Sequence, residues 1–289
     1  MSYIFGVDGG GTGCRVALAD RTGNILSRAN GGPANIETSF TDAKENIIET
    51  CKRALSRATL SESQLSKSNA VLGLAGSNMG DFDKELAKQL PFKENLILND
   101  GEITLEGAIG NKDGCIAAIG TGSVFTGRVN GSIRQIGGWG FILGDNGSGA
   151  KLGCDILRTA IRCHENLGTH SDLTRKIMRE FKNDVVNIIK QTLNYKPKDF
   201  ALYAPIVLEY YKKNDFNARE IINFEVSIVE KSIIAAGFKP KNPFCLLGGL
   251  GSFYKDIISR DLSDSIVEPI GDAVSGAISI AKRLNFESS

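Results

Sequence analysis

The sequence predicts an α/β protein made of two copies of one unit of strands and helices, with a cleft between the two copies. Two observations lead to this fold class. A pattern that opens with a strand, a glycine turn and returning strands begins at Tyr3 and begins again at Cys115. Glycine, at 33 of 289 residues, is concentrated in a few clusters that follow strand-like runs. A repeated order of elements indicates a duplicated unit whose equivalent loops occupy equivalent positions.

The first copy opens with an apolar run over residues 3–8 that ends in Asp8 and is followed by GGGTG and CRVALAD. This pattern is typical of two strands joined by a glycine turn. Residues 42–55 carry apolar side chains at helical spacing and therefore predict an amphipathic helix. The other elements predicted in this copy are strands over residues 24–31, 70–76 and 95–100, with a helix-like segment between the last two.

The second copy repeats the opening, with strands predicted over residues 115–120, 123–130 and 132–138. Most of the chain from Gly147 to Gly237 reads as helix, including residues 215–236. A strand and a glycine turn follow over residues 244–252, and a last helix covers roughly 272–284. The segment GNKDG separates the copies. We therefore predict domains at 1–113 and 114–271, with a helical insertion in the second and a C-terminal helix over about 272–289 packing back on the first.

Composition narrows the class of protein. Lys plus Arg is 34 and Asp plus Glu is 33, and this balance argues against nucleic acid or an anionic membrane surface as the main partner. The six cysteines have no CxxC pair and no zinc-ligand spacing. The N-terminus starts directly with a strand-like run, so we expect a cytoplasmic protein with reduced cysteines.

The loop from Asp8 to Thr12 (DGGGT) carries the first candidate chemistry. Glycines with a hydroxyl can present N–H groups to phosphate oxygens, and an acid nearby can hold Mg²⁺ through its water. The loop is not GxxxxGKS and does not lead into a helix, so neither a P-loop nor a Rossmann fingerprint applies. The alternative is a tight hairpin whose aspartate caps the turn.

The loop from Gly120 to Ser123 (GTGS) follows the equivalent strand of the second copy. By itself Gly-Thr-Gly is more often a turn. Because it is placed like the first loop, we expect the two hairpins to face each other across a cleft and to clamp a nucleotide. A third glycine loop, from Gly248 to Gly251 (GGLG), ends a strand late in the chain.

The ordered set DGGGT, GTGS, GGLG and GDAVSGA resembles the actin, Hsp70 and sugar kinase superfamily over nearly the full length. More narrowly, GGWGFILGDNGSG (137–149) resembles the N-acetylglucosamine kinase branch, which includes the BadF/BadG/BcrA/BcrD ATPases. The resemblance implies two duplicated ribonuclease H-like domains of the actin/hexokinase type. It also implies ATP and Mg²⁺ as cofactors and a small-molecule sugar as substrate. A homodimer is compatible with it, although the residues do not indicate which face would pair subunits.

Asp100 is the predicted catalytic base. It ends the strand NLILND near the domain boundary, and open α/β sheets bind ligands at the carboxyl ends of their strands. Phosphoryl transfer to a sugar hydroxyl needs a carboxylate that orients the oxygen and accepts its proton, and the resemblance assigns this role to Asp100. The alternative is a helix N-cap for the segment that starts at Gly101.

The resemblance also assigns the binding residues. Those predicted to bind ATP are Asp8, Gly10, Gly11, Thr12, Gly120, Thr121, Gly122, Ala218, Gly248, Gly249 and Gly251, with Asp8 also holding Mg²⁺ through water. Those predicted to bind the sugar, beside Asp100, are Asn35, Ser123, Trp139, Gly140 and Asp145. Trp139 offers a flat apolar face to a sugar ring or an acetyl methyl. For Asn35 the alternative is satisfying the turn after Pro33, and for Ala218 it is helix packing.

We therefore interpret the chain as an ATP-dependent sugar kinase that phosphorylates the 6-hydroxyl of an amino sugar, with N-acetylglucosamine favoured and glucosamine as the alternative substrate. A different class is an ATPase activator of an acyl-CoA dehydratase, but GTGS lacks the cysteine that holds the iron–sulfur cluster of those activators. A non-catalytic sugar sensor is a third possibility. His164 and His170 read as surface or capping residues, because neither has partners at metal spacing.

Overall fold

The structure is a computed structural model that describes residues 3–77 and 81–284. The chain divides into two compact units. The first contains the described residues up to Lys112 together with those from Glu268 onward, and the second runs from Asp113 to Val267. Among the described residues no helix is long and apolar enough to cross a membrane.

The first unit is built on a sheet of five strands in the order β3-β2-β1-β4-β5. β1 and β2 pair antiparallel, whereas β1, β4 and β5 run parallel. Its elements in chain order are β1 (Ile4–Gly9), β2 (Cys14–Ala19), β3 (Ile25–Gly31), α1 (Phe40–Arg57), a 3₁₀ turn (Glu62–Lys67), β4 (Asn69–Leu74), α2 (Phe82–Gln89), β5 (Glu94–Asn99) and α3 (Asp100–Ile109).

The second unit has a sheet of four strands in the order β8-β7-β6-β9. Its elements are β6 (Gly114–Ile119), β7 (Ser123–Val129), β8 (Ser132–Gly137), α4 (Gly149–His164), α5 (Asp172–Glu180), α6 (Val185–Thr192), α7 (Pro197–Ala201), α8 (Ala204–Lys212), α9 (Phe216–Ala236), β9 (Phe244–Leu247), α10 (Gly251–Lys255) and α11 (Arg260–Ser263). β6, β7 and β8 form an antiparallel meander and β9 runs parallel to β6. This arrangement matches β1 to β4, so the predicted duplication of an α/β unit is confirmed.

The last helix, α12 (Ala273–Arg283), returns to the first unit. Its apolar face packs with β1, β2, β4 and α3 around a small core of its own. The chain rejoins this unit before the helix begins, because Ile270 N–H bonds to Ala108 C=O and Gly271 N–H bonds to Gly107 C=O. Residues 268–271, predicted with the second domain, therefore belong to the first unit. The predicted C-terminal helix over about 272–289 extends past Leu284, and its last residues lie outside the described part of the chain.

Each sheet buries its own core. In the first unit, β1, β2 and β4 pack against α1, whose buried face contains Ala43, Ile47, Cys51, Ala54 and Leu55. In the second unit, the core lies between the sheet and the helices α4, α5, α8 and α9. These cores hold the strand ends and glycine loops in place, and the candidate site is built on those loops.

Candidate functional site

Asp8 and Asp100 lie at the same edge of the five-stranded sheet. Asp8 is near the carboxyl end of β1, and Asp100 directly follows β5. Since β1, β4 and β5 are parallel, their carboxyl ends share one edge. Burial raises the pKa of Asp100, and the negative charge of Asp8 adds to that rise. The fold therefore brings together two acids that are far apart in the sequence.

Asp8 is buried, and its nearest partner is a residue that the sequence analysis did not single out. Arg15 stands opposite it in the β1–β2 register, with Nη2 2.5 Å from Oδ2 of Asp8. Burial raises the pKa of Asp8, and the Arg15 guanidinium partly offsets that rise. The signal for this pair was present in the sequence, because residues seven apart across a short glycine hairpin come into register on paired strands.

Asp100 is the first residue of α3 rather than the end of a strand, and the N-cap of that helix is Asn99. The side chain of Asn99 accepts a hydrogen bond from Gly101 N–H at 2.8 Å, and Asp100 Oδ1 accepts from the same N–H at 2.9 Å. Asn99 is therefore the N-cap of α3, and Asp100 shares with it the first-turn N–H of Gly101. Burial, followed by the charge of Asp8, raises the pKa of Asp100.

The C-terminal helix α12 packs against β1 and α3, the two elements that carry Asp8 and Asp100. A Cβ atom added to Gly107 of α3 would lie 2.1 Å from Asp272 C=O, and one added to Gly6 of β1 would lie 2.4 Å from Val274 C=O. The glycines thus let α12 approach both elements closely. The fully buried Glu106 carboxylate of α3 also accepts hydrogen bonds from Ser279 and Arg283 of α12. Packing and the ion pair of the buried Glu106 with the partly exposed Arg283 together set the position of α3, and hence of Asp100.

The first glycine loop is held by its backbone. Gly10 N–H bonds to Gly13 C=O at 2.9 Å, and Gly10 C=O accepts from Ala34 N–H at 2.9 Å. Gly11 and Thr12 are exposed, and a Cβ added at Gly11 would meet no protein atom within 4 Å. No protein contact requires a glycine at this position, which leaves room for a ligand.

Asn35 lies beside this loop and serves a turn, as its alternative interpretation held. Its Oδ1 accepts from the N–H groups of Glu37 and Thr38 at 2.9 and 3.1 Å. A cavity of about 350 Å³ opens next to it, lined by Gly11, Pro33, Asn35, Thr38, Ser39, Asp42, Glu45 and Asn46. The turn occupies only the amide oxygen of Asn35, so a ligand in this cavity could still bind the amide nitrogen.

In the second unit the loop from Gly120 to Ser123 is joined to the segment around Asp145. Asp145 Oδ1 accepts from Ser123 N–H at 3.2 Å, and Ser123 Oγ donates to Asn146 C=O at 2.7 Å. Asp145 has a φ of 57°, in the left-handed region, and burial raises its pKa. A Cβ added at Gly122 would come within 2.9 Å of its carboxylate. The structure therefore brings Gly120, Thr121, Gly122, Ser123 and Asp145 together.

Trp139 and Gly140 lie in the loop between β8 and Asp145. The Trp139 side chain is 69% exposed, and Ile142 and Leu143 of the same loop are about nine-tenths exposed. Phe141 instead turns inward and stacks on Phe200, with ring centroids 5.0 Å apart. The loop is thus anchored at Phe141 and leaves the indole of Trp139 free for a ligand.

The third glycine loop combines a glycine that the fold needs with one that it does not. Gly248 has a φ of 84°, and a Cβ there would lie 2.4 Å from Ile119 C=O. A Cβ at Gly249 would meet nothing within 4 Å. Gly251 is buried and begins α10. Only Gly249 is therefore a glycine without a packing reason.

Ala218 needs a correction. It is fully buried within the core of the second unit, and its N–H bonds to Asp215 Oδ1, the N-cap of α9. Its side chain has no exposed surface that could touch a nucleotide. The packing alternative therefore explains this residue.

The histidines and cysteines do not form a metal centre in the described part of the chain, where no three His, Cys, Asp or Glu side chains are placed to hold an ion. His164 is exposed at the end of α4, and His170 Nδ1 lies 3.1 Å from Thr174 Oγ1. Five of the six cysteines are buried, and Cys154 is half-buried.

Known proteins resemble this chain over most of its length. The family model of the BadF/BadG/BcrA/BcrD ATPases matches residues 5–282. Glucosamine kinase GspK of Vibrio cholerae is 27% identical over 97% of this chain and 96% of its own. An N-acetylmuramic acid/N-acetylglucosamine kinase of Clostridium acetobutylicum is 29% identical over 77% of this chain and 75% of its own.

A solved structure shows the same fold. A proposed N-acetylglucosamine kinase from Chromobacterium violaceum superimposes with a TM-score of 0.85 at 31% identity, covering 96% of this chain and 98% of that one. Its likeness extends over both units, as does the match to the family model. The named relatives are amino-sugar kinases, whereas the family model is described as one of ATPases. The chain belongs to the BadF/BadG/BcrA/BcrD ATPase family.

Proposed function

We propose that the protein transfers the γ-phosphoryl group of ATP to the 6-hydroxyl of an amino sugar, and that N-acetylglucosamine is the preferred sugar. The observation that carries this proposal is the Asp8–Asp100 pair at one sheet edge, beside a glycine loop with open space around Gly11. A buried carboxylate with a raised pKa next to a candidate phosphate loop suits a base that takes a proton from an alcohol. We expect the reaction in the cytoplasm, where the free cysteines of the chain would stay reduced.

Asp100 is the proposed base. It accepts the proton of the sugar hydroxyl while that oxygen bonds to the γ-phosphorus and the bond from phosphorus to the ADP oxygen breaks. The raised pKa makes Asp100 a better proton acceptor than an ordinary exposed aspartate. Its position as the first residue of α3 keeps the carboxylate on a rigid element, which favours an oriented reaction.

Magnesium fits the residues at Asp8. Carboxylate oxygens are the donors that Mg²⁺ prefers, and bound Mg²⁺ would neutralise charge on the phosphates. Because Arg15 already pairs with one oxygen of Asp8, we expect the ion to be held through its water shell. The N–H and hydroxyl groups that contact the phosphates would come from Gly10, Gly11 and Thr12 and from Gly120, Thr121 and Gly122. The adenosine would be bordered by Gly248, Gly249 and Gly251.

The sugar would be bound by hydrogen bonds and one aromatic face. Asn35, Ser123 and Asp145 can bond ring hydroxyls, and bonds from neutral hydroxyls to a carboxylate are among the stronger ones. Trp139 is exposed enough to cover an acetyl methyl, which favours N-acetylglucosamine. Glucosamine remains the alternative, because the carboxylate of Asp145 would also attract an ammonium group and because GspK is named for that sugar.

The test is an ATP-coupled assay with glucosamine, N-acetylglucosamine, N-acetylmannosamine and glucose. Turnover of N-acetylglucosamine well above the others is the expected result. Turnover of glucosamine alone would reject the favoured sugar and keep the kinase. Sugar binding without turnover would indicate a sensor, and an iron–sulfur absorption band in anaerobically purified protein would indicate a dehydratase activator.

A further inference from the structure

We propose that Glu225 and Tyr254 are positioning residues. Both hydrogen-bond to the backbone of Gly147 and thereby hold Asp145 in the sugar site. The proposal rests on the proposed function, which gives Asp145 its role. Glu225 lies in α9 and Tyr254 in α10, and neither side chain has any exposed surface.

The two hydrogen bonds involve both the N–H and the C=O group of Gly147. Gly147 N–H donates to Glu225 Oε2 at 2.5 Å, and Tyr254 O–H donates to Gly147 C=O at 2.7 Å. Buried hydrogen bonds of this kind are costly to lose, because the remaining partner is left without water. Gly147 has a φ of 77°, and a Cβ there would lie 2.3 Å from Val229 and 2.9 Å from the Tyr254 oxygen. The positive φ and the close approach of Val229 and Tyr254 therefore require glycine at this position.

The residues next to Gly147 carry this constraint to Asp145. Ser148 N–H bonds to Asp145 C=O at 3.1 Å, and Gly149 N–H bonds to Gly120 C=O at 2.8 Å. A residue other than glycine keeps the left-handed conformation only when its surroundings hold it there. Asp145 is such a residue. The buried hydrogen bonds from Glu225 and Tyr254 to Gly147 help to hold Asp145 in this conformation.

Tyr254 also connects two loops. It belongs to the helix that begins at Gly251, directly after the third glycine loop. Its hydroxyl therefore links the loop predicted to border adenosine with the loop predicted to bind the sugar. Loss of the Tyr254 hydroxyl should therefore weaken sugar binding. It should have less effect on phosphoryl transfer once the sugar is bound.

The experiment compares Tyr254→Phe with Tyr203→Phe. Tyr203 is a matched control, because it is buried in the same core and its hydroxyl lies 3.3 Å from Glu180 and 3.5 Å from the Tyr195 hydroxyl, and it makes no hydrogen bond to Gly147. Both variants lose one buried hydroxyl. We expect Tyr254→Phe to raise the KM for sugar about 5- to 30-fold with a smaller change in kcat, the factor that one or two kcal/mol gives. Tyr203→Phe should leave the KM unchanged.

A second readout does not depend on activity. In hydrogen–deuterium exchange, Tyr254→Phe should increase exchange in residues 144–150, and Tyr203→Phe should not. Unchanged exchange or an unchanged KM in Tyr254→Phe would overturn the proposal, as would an equal rise in KM for Tyr203→Phe. A wild-type chain that phosphorylates no sugar would instead reject the proposed function, and the exchange data would still decide whether Tyr254 holds the loop.

Glu225 is tested by a conservative pair. Glu225→Gln keeps an oxygen that can accept from Gly147 N–H, and we expect its KM to stay near the wild-type value. Glu225→Leu removes the acceptor and should raise the KM as Tyr254→Phe does. A Gln variant as impaired as the Leu variant would mean that Glu225 does not act through this hydrogen bond. If Glu225→Leu does not fold, Tyr254→Phe decides alone.

Discussion

Arg15 and Asp8 face each other across the β1–β2 hairpin, with Nη2 of the guanidinium 2.5 Å from Oδ2 of the carboxylate. The Arg15 side chain is 70% exposed, whereas that of Asp8 is 9% exposed. The pair therefore joins an exposed cation to a buried acid. Burial raises the pKa of Asp8 and Arg15 lowers it, so the ionised form that suits Mg²⁺ depends partly on Arg15.

Arg15→Gln should make nucleotide binding more sensitive to acid. Without the guanidinium the pKa of Asp8 rises further, so Asp8 becomes protonated at a higher pH and MgATP affinity falls earlier as the pH is lowered. Calorimetric titration with MgATP between about pH 5 and 8 measures this shift. Arg175→Gln, which breaks an exposed pair with Asp172, is the control. Identical pH profiles for Arg15→Gln and wild type would show that Arg15 does not tune Asp8.

Asp100→Asn should lower kcat by roughly 10²–10⁴ while sugar binding is retained, because the amide cannot accept the proton. Asn99→Ala is the matched control. It removes the cap of the same helix and should cost about 1 kcal/mol of stability without a comparable loss of kcat. Steady-state kinetics and thermal unfolding of both variants separate the two roles. Near-normal turnover in Asp100→Asn would exclude Asp100 as the base.

Asp100→Asn should also be more stable than wild type at neutral pH. The pKa of Asp100 is raised in the folded state, so its ionisation costs more there than in the unfolded chain and stability is lost as the pH rises through the folded pKa. Asp100→Asn removes that cost. Its Tm should exceed the wild-type Tm at pH 7, and the difference should shrink as the pH is lowered through the folded pKa. A lower Tm at pH 7 would contradict this assignment.

The third glycine loop allows ligand and fold effects to be separated. Gly249→Val should weaken ATP binding while the Tm and the sugar affinity stay near wild type, because the added side chain enters space that the protein leaves open. Gly248→Ala should lower the Tm, because its Cβ meets the Ile119 carbonyl and its φ is positive. Nucleotide titration and thermal unfolding are the measurements. Equal loss of ATP and sugar binding in Gly249→Val, with a lower Tm, would assign Gly249 to folding.

Trp139→Ala should cost about 1–3 kcal/mol in kcat/KM, the usual range for lost pocket packing, and more for N-acetylglucosamine than for glucosamine. The indole is exposed, so the change should leave the Tm almost unaltered. Trp139→Phe keeps an aromatic face and should lose less. Kinetics with both sugars measure the difference. An equal loss for the two sugars would mean that Trp139 does not recognise the acetyl group.

The sequence predicted the two-unit fold well because its signals are local. Strand periodicity and the glycine hairpins after β1 and β6 repeat in order, and the structure places both hairpins between equivalent strands. Asp100 shows the limit of such signals. Its strand was predicted, but whether the last polar residue caps the helix or begins it depends on Asn99, and both residue types are good caps.

The missing parts of the site are long-range contacts. Glu225 and Tyr254 reach Gly147 from helices that are 78 and 107 residues further along the chain, and no spacing rule connects them. The prediction that Ala218 contacts ATP was wrong for a related reason. A helix boundary can be found from its capping Asp215, but which face of the helix turns to the core depends on packing against other helices.

The open space around Gly11, Gly120 and Gly249 has a consequence for how such proteins diverge. A lineage that stopped using the nucleotide could accumulate side chains at these three positions with little penalty to folding. It could not do so at Gly9 or Gly248, where the neighbouring strands and loops leave no room. We therefore expect relatives that keep the second pair but carry side chains at all three open positions to have retained the architecture and abandoned phosphoryl transfer. Substitutions at Gly11, Gly120 and Gly249 would then distinguish working enzymes from descendants that only bind a sugar.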